Sequence, residues 1–139
     1  MDGVREGAAR PSLGRRVRWE KDKLGRILVF DCSNNNLEEA YALFHAFQDA
    51  VLTQPQGSVR VLADLENGSH DIALTRMWKE AIPSHDRIVT KLALLRVTGS
   101  MKVVIAAYRF YARVRGVEVD LKMAYFDDET KAREWLAEP

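Results

Sequence analysis

The chain has 139 residues, of which 47% are hydrophobic and 29% charged, and its formal net charge is +1. This length fits one domain with its own core, and the near-neutral charge gives no overall field that favours nucleic acid. A single cysteine, Cys32, excludes an internal disulfide, which suits a reducing compartment. No apolar run approaches the roughly 20 residues that span a bilayer, and no secretory h-region is recognisable. We therefore expect a cytoplasmic protein without a transmembrane segment.

The first residues are basic and carry no hydrophobic periodicity. Residues 1–26 contain eight Arg or Lys and four acids, whereas acids exceed bases in the remainder. Such a segment can contact phosphates or anionic lipid, but no aromatic residue lies between Arg5 and Arg16 to stack on bases. We therefore expect no nucleic acid partner, a mobile N-terminal arm over residues 1–13 and a single domain over residues 14–139.

The first predicted elements are a hairpin and a helix. Residues 17–19 and 27–30 read as strands on either side of a turn-like segment at 21–25. Leu37 begins a helix whose apolar residues recur at helical spacing. Its predicted buried face consists of Ala40, Leu43, Phe44, Phe47 and Val51.

The middle of the chain predicts a buried strand and a second helix. Residues 59–63 form an almost continuous apolar run, as in a strand covered on both faces, and residues 64–71 form a polar loop. Residues 72–82 are helical in pattern, and we expect Pro83 and the polar residues after it to interrupt that helix. The alternative is that a helical turn resumes after them, through Thr90. The candidate core residues of this helix are Leu74, Met77, Trp78 and Ala81.

Two further strand–helix units complete the chain. A buried strand is predicted at 92–97 and a third helix at 101–115, with Ser100 as its cap. The last strand is predicted at 118–125, and Asp127 is expected to cap the final helix. That helix would bury Ala132, Trp135 and Leu136.

The predicted order is therefore ββαβαβαβα. Helical crossovers favour parallel pairing, whereas the opening hairpin must be antiparallel. We predict an α/β fold: a single-domain mixed five-stranded sheet with an N-terminal antiparallel hairpin, then parallel strands, and about four helices.

Polar residues should gather at the carboxyl ends of the parallel strands, where α/β proteins place their ligands. Here that edge would carry residues 31–36, 64–71 and 98–100, together with Asp127. Most of these residues are also the types that turns and helix caps require. Roles in turns and helix caps therefore explain most of these polar residues without a ligand.

Histidine and acid pairs in these loops do not form a catalytic or metal-binding pattern. Ser69, His70 and Asp71 are successive residues, so they cannot converge as a nucleophile, base and orienting acid. His70–Asp71 and His85–Asp86 lack the spacing of metal ligands and are typical of loop histidines beside capping aspartates. We predict no catalytic residues, no metal site and no cofactor.

The third helix is apolar around most of its circumference. Lys102, Arg109 and Arg113 form a narrow polar stripe on it. Burial between the sheet and a neighbouring helix would explain this pattern. The alternative explanation, which we favour less, is a self-association face or an apolar ligand groove, and the residues predicted to line such a surface are Val104, Tyr108 and Tyr111.

Three segments of the chain resemble those of a known family. They are Val-Leu-Ala-Asp-Leu at 61–65, Leu-Leu-Arg-Val-Thr-Gly-Ser-Met-Lys at 94–102, and Tyr-Phe-Asp at 125–127 with the helix that follows. In these segments the chain resembles the SpoIIAA-like proteins, which belong to the STAS (sulfate transporter and anti-sigma factor antagonist) domains and are compared with CRAL-TRIO lipid-binding folds.

The resemblance implies a non-enzymatic regulatory module that acts through a protein partner or through self-association. Anti-sigma factor antagonists are switched by phosphorylation of a serine in an Asp-Ser-Ser-Gly-like loop before the second helix. This chain lacks that tetrapeptide, and Ser69 is the only serine in the corresponding loop. The predicted phospho-switch or partner loop comprises Asp64, Asn67, Ser69 and His70. The alternative function is a carrier of a small apolar ligand or lipid in a helix-lined groove.

Overall fold

The computed structural model describes residues 12–116 and 121–139. These residues form ten helices and strands in the order α1 (Leu13–Arg16), β1 (Val17–Asp22), β2 (Gly25–Asp31), α2 (Leu37–Leu52), β3 (Val59–Asp64), α3 (Ile72–Ile88), β4 (Val89–Leu95), α4 (Gly99–Val114), β5 (Lys122–Phe126) and α5 (Glu129–Leu136).

The five strands form one mixed sheet in the sequential order β1-β2-β3-β4-β5. β1 pairs antiparallel with β2, and every later neighbour pairs parallel, which confirms the predicted topology. Each parallel crossover connects a strand to its next neighbour in the same direction along the sheet. Crossovers that share one handedness then place their connecting helices on the same face of the sheet. Accordingly α2, α3 and α4 cover one face of the sheet, and α5 covers the other.

The central strands bury both of their faces, as the apolar run at 59–63 predicted. In β3, Val61 and Ala63 pack into the core beneath α2 to α4, whereas Leu62 packs towards α5. In β4, Leu94 faces the first core and Ala93 the second. This alternation follows from the two-residue period of a strand. Core residues therefore lie on both faces of the sheet, beneath α2 to α4 on one face and beneath α5 on the other.

The helix α2 matches its prediction closely. Asn36 caps it, since its side chain accepts a hydrogen bond from the N–H of Glu39, and the Glu39 carboxylate accepts one from the N–H of Asn36. This reciprocal arrangement is a capping box. Its buried residues are the five that the spacing predicted, Ala40, Leu43, Phe44, Phe47 and Val51.

Helix α3 corrects one expectation. It continues through Pro83 to Ile88 rather than ending at residue 82, and β4 begins at once with Val89. Proline removes one intrahelical hydrogen bond, but His85 and Ile88 continue the buried face of the helix beyond it. The packing of that second half outweighs the local cost of the proline. His85 and Asp86 are therefore buried helical residues, not loop residues.

Two helix caps lie beside the predicted ones. Thr98, not Ser100, caps α4, because its hydroxyl accepts a hydrogen bond from the N–H of Met101 at 3.2 Å. Asp128, not Asp127, caps α5 by accepting from the N–H of Thr130 at 2.9 Å. In each segment both neighbouring residue types suit a cap, so local sequence did not separate them.

The described residues begin with one short helix that was not predicted. Leu13–Arg16 form the short helix α1, and Arg16 donates to the carbonyl of Ser33 at 2.8 Å. Residues 1–11, which hold most of the predicted arm, and residues 117–120, which hold part of the predicted last strand, lie outside the described residues. Among the described helices, none is long and apolar enough to cross a membrane.

Candidate functional site: an apolar cavity beneath α4

Helix α4 does not pack tightly onto the sheet. Its closest backbone packing is against α3 rather than against the strands, and only Ile105 and Ala112 of its side chains are buried. Burial on more than one side was one of the two explanations for the apolar composition of this helix. The structure does not show such burial. The gap between α3, α4 and the sheet is a cavity of about 170 Å³.

The walls of this cavity are almost entirely hydrophobic. Val61, Ala63 and Leu94 line it from the sheet. Trp78 lines it from α3, and Val104 and Tyr108, two of the three predicted residues of α4, line it from the opposite side. A preformed apolar space with few polar groups is the usual form of a site for small molecules.

The polar groups of the lining fall at the two ends of the strands. Cys32, Ser69 and His70 lie at the carboxyl end, in the loops that follow β2 and β3. His85 and Asp86 lie at the opposite end, immediately before β4 begins, and Arg109 of α4 joins them. Sequence reasoning did not bring these last three residues together.

His85 is the least satisfied of these groups. It is only 4% exposed, and its Nε2 atom has no hydrogen-bond partner among the described residues. Its ring packs edge-on against Phe47 and Trp78, with centroid distances of 5.3 and 6.1 Å. Burial among these apolar rings lowers the pKa of His85 to about 4. The imidazole is therefore neutral at pH 7.

Asp86 and Arg109 form an ion pair that connects α3 to α4. Nη1 of Arg109 lies 2.6 Å from Oδ2 of Asp86, whose side chain is 7% exposed. Burial raises the pKa of Asp86 above its ordinary value, although the guanidinium acts in the opposite direction. The net charge of the pair is zero when both groups are ionised. The ion pair holds α4 against α3 at this end of the cavity.

At the carboxyl end, the predicted partner loop is fastened to its neighbour. Asp64 pairs with Arg96 at 2.6 Å, and the Asn67 amide donates to the side chain of Asn34 at 3.0 Å. The Ser69 hydroxyl donates to the carbonyl of Asn35 at 2.6 Å. The Asn67 and Ser69 contacts hold the loops at 31–36 and 64–71 together beside the cavity, and the Asp64–Arg96 pair joins the second loop to the residue that follows β4.

The remaining predicted residues have varied positions. His70 is exposed at the cavity rim, and Asp71 after it caps α3 by accepting from the N–H of Leu74 at 2.8 Å. Tyr111 is half-buried outside the cavity lining, with the Lys79 ammonium 4.9 Å from its ring centre. The structure thus separates Tyr111 from Val104 and Tyr108.

The neighbouring cysteine and acids do not form a reactive centre in the described segments. Burial raises the pKa of the Cys32 thiol to about 11, so it is protonated at pH 7. Its sulfur accepts from the amide of Asn35 at 3.2 Å. Within residues 12–116 and 121–139, no three His, Cys, Asp or Glu side chains cluster closely enough to hold a metal ion.

The outer surface of α4 is a second apolar feature. Val103, Phe110 and Val114 are 70%, 63% and 66% exposed and share one side of the helix. Lys102 and Arg113 lie beside them, and α4 contains no acid. Exposed large apolar residues that form a patch commonly mark an interaction surface.

A comparison with known protein families agrees with this architecture. The family described as SpoIIAA-like matches residues 27–137, which is most of the chain. The protein therefore belongs to the SpoIIAA-like family, a STAS-type module, as the three sequence segments indicated. No curated protein matches the chain, and no solved structure matches it.

Proposed function

We propose that this SpoIIAA-like domain binds a small apolar molecule in the cavity between the sheet, α3 and α4. The observation that carries the proposal is the cavity itself, about 170 Å³ in volume and lined on both sides by hydrophobic residues. An apolar cavity of about 150 Å³ is large enough to hold benzene, so a ring-sized ligand fits this space.

The way in which α4 is held also supports ligand entry. This helix packs mainly on α3 and buries few side chains, so moving it costs less free energy than moving a core helix. The Asp86–Arg109 ion pair and the hydrogen bond between Thr75 and Tyr108 are polar attachments of α4 to α3 on the cavity side. A shift of α4 can therefore widen the space for a ligand.

Toluene is a suitable probe because it has no hydrogen-bonding group. Trp78 lines the cavity, whereas Trp19 and Trp135 lie elsewhere, so its fluorescence reports on occupancy. We expect a saturable change in the fluorescence of Trp78 on addition of toluene, and a rise in Tm. Toluene that neither changes the fluorescence of Trp78 saturably nor raises Tm would overturn the proposal.

Neighbouring valines on α4 supply a matched pair of variants. Val104 lines the cavity, and Val103 is exposed on the outside of the same helix. Val104→Phe should fill the space and abolish toluene binding, whereas Val103→Phe should leave binding unchanged. Equal effects of the two substitutions would show that the binding occurs elsewhere.

The second candidate function is the regulatory one, docking of a protein partner on the outer face of α4. The observation that favours it is the exposed group of Val103, Phe110 and Val114 with basic neighbours and no acid in the helix. A second copy of α4 would bring bases against bases. We therefore propose an amphipathic partner segment whose apolar face is flanked by acids.

A designed helical peptide with leucines on one face and glutamates beside them tests this docking. We expect it to shift the amide resonances of α4, and the same peptide with lysines in place of the glutamates should not bind. Phe110→Ser should abolish the shifts, whereas Ile72→Ser, which alters an exposed residue of α3, should not. Equal binding of both peptides would contradict the charge argument.

Both candidates are binding functions, which is what the family generally performs. We propose that the domain has no catalytic activity of its own and acts in the cytoplasm. The phospho-switch at Ser69 belongs to the second candidate.

A further inference from the structure

We propose that two copies of this protein associate through the outer edges of their β1 strands, antiparallel and with Trp19 of one copy opposite Trp19 of the other. The two sheets then form one continuous sheet across a twofold axis. Neither the cavity nor the outer face of α4 takes part in this contact, so it is independent of both candidate functions.

Strand β1 lies at one end of the sheet and has an open outer side. Among the described residues it pairs with β2 alone, in one regular register along all six of its residues. The outer side of such an edge strand presents backbone N–H and C=O groups that no neighbouring strand satisfies. A row of these groups can bind a further strand by backbone hydrogen bonds.

The hydrogen bonding of β2 shows which groups of β1 face outward. The N–H of Cys32 donates to the carbonyl of Asp64 in β3, so the even-numbered residues before it in β2 also direct their backbone groups towards β3. The odd-numbered residues of β2 therefore bond to β1, where they lie opposite its even-numbered residues. Hence Val17, Trp19 and Lys21 direct their N–H and C=O groups outward.

The start of β1 agrees with this assignment. The N–H of Val17 donates to the carbonyl of Leu13 in α1 and not to β2. The outward groups that remain for a second strand are the carbonyl of Val17 and both backbone groups of Trp19 and Lys21. They form a short row centred on Trp19.

Hydrogen bonds form in an antiparallel pair when outward-facing residues lie opposite each other. With Trp19 opposite Trp19, the N–H of each tryptophan donates to the carbonyl of the other. The N–H of Lys21 then donates to the carbonyl of the second copy's Val17. The bond between Val17 and Leu13 stays intact, so α1 keeps its place in this register.

The charged side chains of β1 select the same register. Arg18 and Glu20 point to the face of α5, where Glu20 contacts Arg133 at 2.8 Å. When Trp19 is central, Arg18 of each copy lies opposite Glu20 of the other, and opposite charges stabilise a strand pair. The two nearest hydrogen-bonding registers centre on Arg18 or on Glu20. Both set like charges opposite each other, which is unfavourable.

Two exposed leucines flank β1. Leu13 in α1 is 42% exposed, and Leu24 in the turn after β1 is 46% exposed. Because the two strands run in opposite directions, α1 of one copy lies at the same end of the interface as the turn of the other. Contact between Leu13 and the second copy's Leu24 removes apolar surface from water.

The antiparallel contact keeps equivalent faces of the two sheets together. The twofold axis runs perpendicular to the sheet, so the helices α2 to α4 of both copies lie on one face and both α5 helices on the other. Both copies of α4 are then exposed on the same side of the dimer. A partner with two docking segments can therefore reach both.

The contact area is small, because each copy contributes a strand of six residues. We expect a weak dimer with a dissociation constant on the order of 100 μM. Sedimentation equilibrium of the full chain between about 10 μM and 1 mM measures it. A protein that is still monomeric at the highest concentration would overturn the proposal.

A pair of charge reversals tests the register. Arg18→Glu sets acids opposite each other across the dimer, and Glu20→Lys sets bases there. Each variant alone should dimerise at least about tenfold more weakly than the parent. An equimolar mixture of the two should recover dimerisation, because every acid then meets a base. Arg76→Glu reverses an exposed charge of α3 as the matched control and should dimerise as the parent does.

A proline substitution tests the backbone contact. Since the N–H of Lys21 faces outward, Lys21→Pro deletes a donor to the second copy and keeps the pairing with β2. We expect this variant to be monomeric with a Tm near that of the parent. Lys21→Ala removes the same side chain, keeps the N–H and should still dimerise. In the parent, hydrogen exchange at the Trp19 amide should slow as the protein concentration rises.

The outcomes separate the two parts of the proposal. Strong dimerisation of Arg18→Glu and Glu20→Lys alone, or no recovery in their mixture, would overturn the Trp19-centred register. A Lys21→Pro variant that dimerises as the parent does, or exchange at Trp19 that is independent of concentration, would show that the copies meet at another surface.

Discussion

Arg109 reaches from α4 to Asp86 of α3, placing its Nη1 atom 2.6 Å from the Oδ2 atom of the carboxylate. The two residues are 23 positions apart, and each lies next to the cavity. Their contact joins the two helices at the end of the cavity where β4 begins. It therefore couples the stability of α4 to the properties of the candidate site.

Loss of the arginine should destabilise the protein and loosen α4. Arg109→Met leaves the buried carboxylate of Asp86 without its cation, and we expect a loss of about 2–3 kcal/mol in the free energy of unfolding at pH 7. Urea denaturation measures the loss, and hydrogen exchange of the α4 amides should accelerate with it.

Two controls identify the cause of that loss. Asp86→Asn combined with Arg109→Met removes both charges and should recover part of the stability. Arg113→Met removes an exposed base from the same helix and should change stability by less than about 0.5 kcal/mol. Equal losses from Arg109→Met and Arg113→Met would exclude the ion pair as the reason.

Two alanines on neighbouring strands test whether the cavity has free space. Ala63 of β3 lines it, whereas Ala93 of β4 points to the opposite face, where it is 0% exposed against α5. Ala63→Ile should be tolerated, because its extra carbons enter the cavity. Ala93→Ile should cost about 1–3 kcal/mol, since the opposite core is already filled. Thermal denaturation of both variants checks this, and a larger loss at Ala63 would contradict it.

The buried histidine predicts a pH dependence of stability. The pKa of His85 is about 4 in the folded protein and 6.5 in the unfolded chain, because burial disfavours its charged form. Above pH 6.5 neither state binds the proton. As pH falls from 6.5 to 4, the unfolded chain is protonated first, so the free energy of unfolding should fall by about 3 kcal/mol. Urea denaturation at pH 7 and pH 4.5 measures most of this change.

The variant His85→Phe isolates that contribution. Asp86 and Arg109 face the same space, and the raised pKa of Asp86 makes its contribution decrease as pH rises, with a slope of opposite sign. The difference between parent and variant cancels this common part. We expect the variant to be more stable by about 1–3 kcal/mol at pH 7, since it removes an unpaired buried nitrogen. A parent protein with the same pH profile as the variant would contradict the depressed pKa.

A charge at Ser69 should loosen the contact between the loops at 31–36 and 64–71, which lie at the carboxyl end of the cavity. The Ser69 hydroxyl donates to the carbonyl of Asn35, so Ser69→Ala should cost about 1 kcal/mol and Ser69→Glu more. Hydrogen exchange over residues 31–36 and 64–71 should increase in Ser69→Glu. The matched control is the exposed Ser84, where the same substitutions should leave these loops unchanged.

Phosphorylation itself is a separate question with its own measurement. Intact mass after co-expression with cellular kinases should show one added phosphate that the Ser69→Ala variant lacks. A parent protein of unmodified mass would remove the phospho-switch hypothesis, whatever the mutants do to the loop.

Sequence periodicity was reliable where a pattern was long and locally consistent. The five buried residues of α2 and the two-faced burial of β3 followed directly from spacing. It was less reliable at boundaries. Thr98 and Asp128, rather than Ser100 and Asp127, are the caps, because the choice between adjacent polar residues depends on backbone geometry that the sequence does not contain.

The candidate site was only partly accessible from sequence. Val104 and Tyr108 were predicted to line a groove, and they do line the cavity. His85 and Asp86 were interpreted as loop residues because Pro83 was expected to interrupt the helix, although a helical turn resuming through Thr90 was the alternative. Continuing the apolar spacing of α3 past the proline, to His85 and Ile88, was the signal that could have placed them.

By itself the sequence determined the α/β class and the order of the strands and main helices along the chain, because repeating hydrophobic patterns and turn residues act over short distances. Three of its segments also indicated the SpoIIAA-like family. Only the tertiary structure decided that α4 stands away from the sheet and that Arg109 meets Asp86 beside an unpartnered His85. An apolar residue indicates a preference for leaving water. It does not indicate whether the space that it faces is filled by another side chain or left open for a ligand.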